Sequence, residues 1–308
     1  MRTCVIYNPA AGRGRARRLR EEVRRAFAGE TAFEATTGPG HALEIGERAA
    51  RSGFDRVAAA GGDGTVHEVA RGILASGYRE TLFSTIPVGS MNDYAFATGM
   101  LGWWKNGRTA PLDSIRADVG LVRARSRERH FVNGCGIGFN GMVTVESTKI
   151  RSLRGLPLYA FALLRALAFH YAKPVMALQI DDLEIVGPTL ALSVNLGQRE
   201  GGFPLTRDAR LDDGRFDTVH AAAVKPWEMI RYLPAMISGK LPKEHPQLRL
   251  GHCTRVRVSC ERDLCIHTDG ELFAVPGDGV KEVEIELLPG LLRVETCPTF
   301  QYGRKRSS

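Results

Sequence analysis

The sequence predicts an α/β domain followed by an all-β domain: a doubly wound nucleotide-binding domain and then an antiparallel β-sandwich. Strand and helix patterns alternate through the first hundred residues, whereas β-type runs dominate from about residue 115. Hydrophobic residues occupy 44% of the 308 positions, which is enough for a large core and excludes wholesale disorder. We therefore expect domains at 1–114 and 115–295, and a tail at 296–308 that packs back on the first domain.

The first domain alternates apolar β-type runs with helical periodicity. Strands are predicted at 4–7, 33–36, 56–60 and 82–88, and helices at 15–28, 41–51 and 65–76. Strands that alternate with helices form parallel sheets, and ligands bind beyond the carboxyl ends of such strands. Asn8-Pro9, Gly61-Gly62 and Gly89-Ser90 fall at three of these ends. We expect the functional site at this edge of the sheet.

The second domain consists mainly of β-type runs separated by turns such as Asp213-Gly214. Strands are predicted at 118–123, 129–132, 175–180, 189–196, 216–224, 256–260, 264–267, 283–288 and 291–295, and helical inserts at 157–171 and 227–238. The first insert is apolar around most of its circumference. It is either a buried core helix, the lining of an acyl-chain pocket or a helix at a membrane interface.

Charge is concentrated at the start of the chain. The net charge is +8, from 42 Lys and Arg against 34 Asp and Glu, and residues 1–25 contain eight arginines against two glutamates. Such a patch attracts the phosphates of nucleotides, nucleic acids or anionic lipids; a solvated helix face is the alternative. We expect no nucleic-acid partner, because the patch has no interleaved aromatic residues and no recognisable module.

The cysteines and the apolar segments predict a cytoplasmic protein. The six cysteines are scattered without zinc-type spacing, which favours reduced thiols over a metal centre. Residues 1–12 lack the apolar core of a secretory signal, and the segment 155–164 is too short to span a bilayer. Trp103-Trp104 beside Lys105 suggests either an anchor at a bilayer surface or a packed loop.

The most informative local motif is Gly61-Gly62-Asp63-Gly64-Thr65, which follows an apolar strand and opens a helix. Glycines let the backbone approach an anion closely, and the N–H groups at a helix start point at a phosphate. Thr65 and Glu68 also fit a capping box with Thr65 as the N-cap. A phosphate would repel the Asp63 carboxylate, which predicts a bridging Mg²⁺ or a catalytic proton role.

Two further turns accompany this motif. Asn8-Pro9-Ala10-Ala11-Gly12 ends the first strand, and residues 87–93 (Pro-Val-Gly-Ser-Met-Asn-Asp) end the fourth. The Walker A pattern and the dinucleotide GxGxxG pattern are both absent. The sequence thus predicts a nucleotide site of another kind.

Taken in order, these motifs resemble the catalytic domain of the diacylglycerol kinase and sphingosine kinase lipid kinases, and their bacterial members in particular. NAD kinases and phosphofructokinases are more distantly similar through the GGDGT turn. The resemblance continues through residues 133–141, Gly201-Gly202, residues 211–217 and Asp269-Gly270-Glu271, and so covers residue 4 to about residue 295.

The resemblance implies a specific set of nucleotide contacts. The backbone of residues 8–12 and of residues 61–67 would hold the ATP phosphates, with Thr36 and Ser90 near the nucleotide. The implied residues are Asn8, Pro9, Ala10, Ala11, Gly12, Thr36, Gly61, Gly62, Asp63, Gly64, Thr65, Val66, His67, Ser90 and Asn92. Ala11 stands where the family usually has serine and His67 where it usually has asparagine, and both changes bear on ATP affinity.

The resemblance also implies catalytic and metal residues. Glu271 matches the proposed general base, and Asp269 would support it or the metal. With Asp63 as the third candidate catalytic carboxylate, the sequence leaves open which of the three accepts the proton. Asp213, with the backbone carbonyls of Arg210 and Arg215, matches a structural Mg²⁺ site. By itself, Asp269-Gly270 favours an ordinary hairpin turn, because Asp-Gly is the commonest such signal, and only the upstream motifs favour a catalytic role.

The predicted function is an ATP- and Mg²⁺-dependent lipid kinase that phosphorylates a hydroxyl of a membrane lipid, with diacylglycerol as the default substrate. We expect it in the cytoplasm, peripheral to the inner face of the membrane, where anionic headgroups would attract it; a homodimer is left open. The alternatives are a soluble-metabolite kinase of the NAD kinase type and a nucleotide-sensing regulator without activity. Phosphoryl transfer needs an anion cradle, Mg²⁺ and a carboxylate that accepts the proton of the hydroxyl; we expect the first domain to supply the cradle and the second the acid pair.

Overall fold

The structure of the chain, a computed structural model, describes residues 1–11, 20–27, 29–150, 152–240 and 245–301. The chain divides into two units. Unit 1 contains Met1–Asp118 and the chain from Pro289 onward, and unit 2 contains Val119–Leu288. Residues 289–295, which the sequence assigned to the second domain, therefore belong to unit 1.

Unit 1 is built on a parallel sheet with the strand order β2-β1-β3-β4. The strands are β1 Thr3–Tyr7, β2 Thr31–Ala35, β3 Arg56–Gly61 and β4 Leu82–Pro87; the helices are α1 Arg20–Ala26, α2 His41–Arg51, α3 Asp63–Ser76, α4 Asp93–Ala97 and α5 Met100–Lys105. The predicted α/β fold is confirmed. The predicted helix at 15–28 extends at both ends beyond the described residues.

The interior strands of this sheet are buried on both faces, which explains their unbroken apolar sequences. Alternate residues of β1 and β3, such as Val5 and Ala58, pack with Val23 and Phe27 from the α1 segment. Helices α2 and α3 pack on each other and on β1 and β3. Gly72 of α3 is required there, because a Cβ would collide with the carbonyl oxygen of Leu43.

The last strand, β16 Glu282–Thr296, explains why the end of the chain belongs to unit 1. Val294 lies opposite Phe83 in parallel pairing with β4. The neighbouring Glu295 carboxylate forms an ion pair with Arg56 of β3 at 2.5 Å, and the two side chains are only 3% and 10% exposed.

The residues after β16 pack on α5. The Cys297 N–H donates to the carbonyl oxygen of Thr98 at 2.9 Å. The Cys297 side chain is buried in a cluster with Met100 and Trp103. Residues 302–308, the rest of the predicted tail, lie outside the described residues.

The two adjacent tryptophans both pack within unit 1, with Trp103 buried and Trp104 partly buried. Trp103 is 3% exposed, and its Nε1 donates to the carbonyl oxygen of Ala110 at 2.8 Å. Nε1 of Trp104 donates to the carbonyl oxygen of Thr85 at 3.2 Å. The interpretation as a bilayer anchor is therefore wrong, because both indoles pack within unit 1, on a helix and not on a loop.

Unit 2 is the β-sandwich that the sequence predicts. Its elements, with β5 and β16 shared with unit 1, are β5 Asp113–Ala124, β6 Arg127–Phe131, β7 Gly134–Gly138, α6 Phe139–Lys149, α7 Leu156–Phe169, β8 Val175–Ile180, β9 Leu183–Pro188, β10 Ala191–Asn195, β11 Phe216–Ala221, α8 Pro226–Ser238, β12 Leu248–Cys253, β13 Arg255–Cys260, β14 Ile266–Thr268 and β15 Glu271–Ala274. One antiparallel sheet has the order β12-β11-β10-β7-β14-β15. In the other layer, β13 pairs with β8 and with the first half of β16, and β8 pairs with β9.

Helix α7 corresponds to the apolar insert and has two different faces. Leu163, Ala166 and Leu167 are buried in a hydrophobic cluster of unit 2. Phe161 and Phe169 point outward and are 45% and 69% exposed. The helix is thus neither wholly buried nor wholly exposed. In the part of the chain that is described, no helix is both long and apolar enough to cross a membrane.

Candidate active site

The predicted phosphate-binding turns meet at the carboxyl edge of the parallel sheet in unit 1. The N–H groups of Val88 and Gly89 both donate to the carbonyl oxygen of Gly61, at 3.1 and 2.9 Å. Gly89 lies so close to Gly62 that a Cβ at position 89 would collide with the Cα of Gly62. The glycines therefore let two separate motifs form one surface.

The Asp63 side chain stabilises this surface through hydrogen bonds to the backbone. Its carboxylate accepts backbone N–H groups from Asn92 at 3.0 Å and from Asp93 at 2.8 Å. The side chain of Asn92 in turn donates to the carbonyl oxygen of Gly89 at 2.8 Å. The negative charge of Asp63 thus has a structural explanation besides the Mg²⁺ or proton role that the sequence suggested.

Helix α3 begins at Asp63, with Gly62 as its N-cap and no side-chain cap. The predicted capping box is therefore wrong, because Thr65 lies inside the first turn. Glu68 instead accepts the N–H groups of Gly40 and Ala42, at 2.9 and 3.1 Å, and so caps the start of α2. The N-cap Gly62 supplies no side-chain cap, so an anion could take that place at the start of α3.

The structure narrows the predicted contacts on this helix. The Val66 N–H already donates to the carbonyl oxygen of Gly62 at 3.1 Å, inside the helix. Val66, His67 and Thr65 have buried side chains, with His67 only 2% exposed. The side chains of Val66 and His67 are therefore not exposed to a ligand, while Gly62, Asp63 and Gly64 are half-exposed, and the predicted backbone contacts of this segment stay a prediction.

The first loop is shaped by Asn8. Its side-chain oxygen accepts the Ala10 N–H at 2.9 Å, and its backbone carbonyl accepts the Ala11 N–H at 3.0 Å. These two N–H groups are therefore engaged within the loop. Pro9 has no N–H, and Gly12 lies outside the described residues.

The remaining predicted nucleotide residues border the same edge. Thr36 follows β2, and its N–H donates to the carbonyl oxygen of Tyr7 at 2.9 Å. Ser90 is exposed in the turn after β4, and Asn92 adopts a left-handed conformation with φ 55°. Of the arginine-rich stretch, residues 12–19 are not among those described, while Arg24 and Arg25 are exposed on α1.

The predicted acid pair lies on the hairpin between β14 and β15 in unit 2. Asp269 accepts three backbone N–H groups, from Val132 at 2.9 Å, Asn133 at 2.8 Å and Gly134 at 2.9 Å. Glu271 begins β15 with an exposed side chain. Asp269 is therefore built into the backbone of the sheet end, whereas Glu271 is available to a substrate.

Among the predicted Mg²⁺ residues, Arg210 and Arg215 are exposed, and the partly buried Asp213 lies near the buried Asp217 in unit 2. Oδ2 of Asp213 accepts Nε of Arg215 at 2.9 Å, while Oδ1 is buried without a partner. Oδ2 of Asp217 is buried without a partner as well. Burial raises the pKa of the Asp217 carboxyl to about 6, and the nearby Asp213 charge adds to this. Unsatisfied buried carboxylate oxygens fit a hard divalent cation, although no group of three acidic, histidine or cysteine ligands occurs among the described residues.

Sequence analysis missed a second buried carboxylate near the hairpin. Oε1 of Glu200 accepts Nδ2 of Asn140 at 3.0 Å and pairs with Nε2 of His267 at 3.0 Å. Burial raises the pKa of the Glu200 carboxyl, but hydrogen bonds from His267, Ser193 and Asn195 outweigh it and hold that pKa below the usual range. No local pattern links these residues, because they come from separate elements.

Comparisons with known proteins define the family. The diacylglycerol kinase catalytic domain matches residues 2–120, and the YegS C-terminal NAD kinase beta sandwich-like domain matches residues 134–296. A diacylglycerol kinase from Bacillus subtilis is 30% identical over 294 residues, which cover 91% of this chain and 93% of that protein. A protein named as a YegS-like lipid kinase from Pseudomonas aeruginosa is 31% identical, with 89% of each chain covered.

A solved structure supports the same fold. The crystal structure of a diacylglycerol kinase from Bacillus anthracis superimposes with a TM-score of 0.71 at 20% identity, and covers 97% of this chain and 98% of that one. The chain belongs to the family of diacylglycerol kinases and YegS-like lipid kinases. It is a kinase, and the alternative of a regulator without activity is set aside.

Proposed function

We propose that the protein is an ATP- and Mg²⁺-dependent lipid kinase that transfers the γ-phosphate of ATP to a hydroxyl of a membrane lipid, with a diacylglycerol-like alcohol as the default acceptor. The observation that carries this proposal is the joined turn of unit 1. Gly61-Gly62 and Gly89 form one surface, fastened by Asp63, at the uncapped start of α3. Such a surface offers N–H groups and a helix dipole to the phosphates of a nucleotide.

In the proposed reaction, Glu271 orients the acceptor hydroxyl and takes its proton. The bond between the γ-phosphorus and the β–γ bridging oxygen breaks, a bond forms between that phosphorus and the acceptor oxygen, and ADP leaves. Glu271 suits this role because its side chain is exposed at the start of β15. Asp269 holds the hairpin in place through its three backbone contacts.

The Mg²⁺ dependence rests on two sets of residues. Asp213, with the carbonyl groups of Arg210 and Arg215, would hold a structural ion, as the partnerless Oδ1 of Asp213 supports. When bound at the nucleotide, Mg²⁺ neutralises charge that develops on the transferred phosphoryl group. Asp63 is the carboxylate on the nucleotide side that could contact such an ion while it holds the turn.

A lipid acceptor is supported by the outward faces of two helices in unit 2. Phe161, Leu164 and Phe169 on α7 are exposed apolar side chains, and so are Trp227 and Ile230 on α8. Contiguous exposed apolar side chains favour contact with lipid or protein. We propose action in the cytoplasm at the inner face of the membrane, which the six free cysteines also support.

The test is transfer from γ-labelled ATP with Mg²⁺ to a total lipid extract, resolved by chromatography, with NAD as a parallel acceptor. A labelled lipid that disappears in Glu271→Gln is expected. Label on NAD and on no lipid would move the assignment to a soluble-metabolite kinase. Binding to anionic vesicles should weaken steeply with salt if anionic headgroups attract the protein.

A further inference from the structure

The hairpin between β14 and β15 is held by contacts on both sides of its turn. Before the turn, Asp269 accepts three backbone N–H groups from the segment that joins β6 to β7. After the turn, Nη1 of Arg129 donates to the carbonyl oxygen of Leu272 at 2.9 Å. The backbone that carries Glu271 is therefore fixed within unit 2.

One side of this turn is open next to Glu271. The preceding residue, Gly270, has a φ of 84°, which requires glycine. A Cβ built on Gly270 would have one atom of the described residues within 4 Å, the hydroxyl oxygen of Tyr159 at 3.7 Å. That distance is an ordinary van der Waals contact. The space beside the turn is therefore lined by a tyrosine hydroxyl and has room for a further group.

Tyr159 is held in this place by its own helix and by a glycine. It lies in the first turn of α7, where its N–H donates to the carbonyl oxygen of Gly155 at 3.3 Å. Its ring packs on Gly201, where a Cβ would lie only 3.1 Å from the ring. Along the helix, Tyr159 continues the row of the buried residues Leu163 and Ala166. The position of the hydroxyl is thus fixed by packing.

The surroundings of this hydroxyl on α7 are apolar. Residues 156–158, which share its turn, read Leu-Pro-Leu and are half-exposed or exposed. From this turn an exposed apolar row runs along α7 for about 16 Å, at 1.5 Å per residue. The row consists of Pro157, Phe161, Leu164 and Ala168. The helix therefore combines one polar group beside the hairpin with a long apolar surface.

We propose that Tyr159 is a specificity-determining residue of the acceptor site, whose hydroxyl donates a hydrogen bond to an ester carbonyl oxygen of the acceptor lipid. This inference rests on the proposed function and deepens it, because it makes the ester the feature by which a diacylglycerol-like acceptor is recognised. Once the free hydroxyl of such a lipid faces Glu271, its other polar groups are ester oxygens, which only accept. A tyrosine hydroxyl donates one hydrogen bond, and its hydrogen rotates to suit the acceptor.

The test compares two acceptors that have the same free hydroxyl, in micelles of an uncharged detergent. These are 1,2-dioleoylglycerol and 1,2-di-O-oleylglycerol, in which ether oxygens replace both esters. We expect the wild type to prefer the ester about 10-fold in kcat/KM. Tyr159→Phe keeps the ring on Gly201 and should lower kcat/KM for the ester about 10-fold, with less than about a twofold change for the ether and in KM for ATP.

The matched control is Tyr78→Phe, which removes the hydroxyl of an exposed tyrosine in unit 1 and should change neither acceptor. Urea unfolding of Tyr159→Phe should match that of the wild type, which separates recognition from stability. Equal losses on both acceptors would show that Tyr159 acts only through the structure, and no loss on either would remove it from the acceptor site. Either result would overturn the inference.

A second measurement does not depend on turnover. Binding of dihexanoylglycerol without ATP is followed through the ¹³C resonance of Cζ of Tyr159, which is identified by its absence from Tyr159→Phe. We expect a shift with dihexanoylglycerol and a smaller one with its di-O-hexyl analogue. That result would stand even if no lipid were phosphorylated, in which case the proposed function alone would fail. A resonance that the ester does not move would overturn the inference, whether or not dioleoylglycerol is phosphorylated.

Discussion

The carboxylate of Asp63 accepts the backbone N–H of Asp93 at 2.8 Å, and that of the preceding residue Asn92 at 3.0 Å. The first residue of α3 thereby fixes the turn that follows β4. Two motifs about thirty residues apart in the sequence become one rigid surface. The aspartate of the GGDGT motif is thus a structural residue of unit 1.

Replacing Asp63 should weaken both stability and ATP binding. Asp63→Ala leaves two backbone N–H groups without their acceptor, and we expect a loss of about 1–3 kcal/mol in the free energy of unfolding. The loosened turn should also raise KM for ATP. Urea unfolding and initial rates measure the two effects. Glu44→Ala, an exposed change on α2, is the control; a stable Asp63→Ala with raised KM alone would contradict the structural role.

The buried ion pair between Arg56 and Glu295 should stabilise unit 1 only as a pair. Glu295→Ala leaves a buried guanidinium without its partner, and we expect a loss of about 3–5 kcal/mol. Arg56→Met combined with Glu295→Leu should recover most of that loss, because no charge is then left buried. The urea midpoints of unfolding measure the stability of both variants. Glu80→Ala, which removes the exposed ion pair with Arg116, is the control and should lower the free energy of unfolding by about 0–1 kcal/mol. A double variant as unstable as Glu295→Ala would contradict the pairing argument.

Sequence patterns predicted the elements whose burial follows a simple period. The strand at 175–180 and the helix at 41–51 are found with those bounds, and β1, β3 and β4 differ by about one residue. Strands β7, β9, β12 and β15 and helices α5 and α6 were missed. β7 reads Gly-Cys-Gly-Ile-Gly, and its glycines make room for His267 and for Asn195 on neighbouring strands. Such a strand has little β-propensity of its own, because tertiary packing decides it.

The sequence predicted where the loops of the candidate site lie, but it did not predict the contacts between the side chains of the site. Glycine turns at strand ends located Gly61-Gly62 and Gly89 correctly at one edge. The partners of Glu68 could not be predicted, because the capping box and the contact with Gly40 are equally compatible with its sequence position. Glu200 and His267 lie 67 positions apart, and only the sheet register brings them together.

Glu146 should make the stability of unit 2 sensitive to acid. Its side chain is 1% exposed and contacts Lys149 at 2.6 Å, Arg165 at 2.7 Å and His170 at 2.9 Å. The hydrogen bond from Lys149, with those from Arg165 and His170, lowers the pKa of the Glu146 carboxyl from 4.5 to about 2 against the opposing effect of burial. Because the folded pKa is depressed, the contribution is present above about pH 4.5 and is lost as the pH falls toward 2.

This dependence is measured by thermal unfolding from pH 3 to pH 7, compared with Glu146→Gln. The wild type should be more stable near pH 7, and the difference in Tm should shrink below about pH 4.5, because the Glu146 carboxyl is then protonated in the unfolded chain but not yet in the folded protein. A constant difference across this range would contradict the lowered pKa. Asp278→Asn is a useful comparison, since its carboxylate contacts Arg127 at the surface.

Variants of Asp269 and Glu271, the two acids of the hairpin between β14 and β15, should affect activity and stability differently. Glu271→Gln removes an exposed carboxylate, so we expect a change in unfolding free energy within about 0.5 kcal/mol and a fall in kcat of about 10²–10⁴-fold.

Asp269→Ala removes the acceptor of three backbone N–H groups and should lower the free energy of unfolding by about 1–3 kcal/mol or more. Its loss of activity should follow from the displaced hairpin, so lowering the temperature should recover part of kcat in Asp269→Ala and none in Glu271→Gln. Near-normal turnover by Glu271→Gln would remove it as the general base, and a stable but inactive Asp269→Ala would give Asp269 a direct part in the reaction.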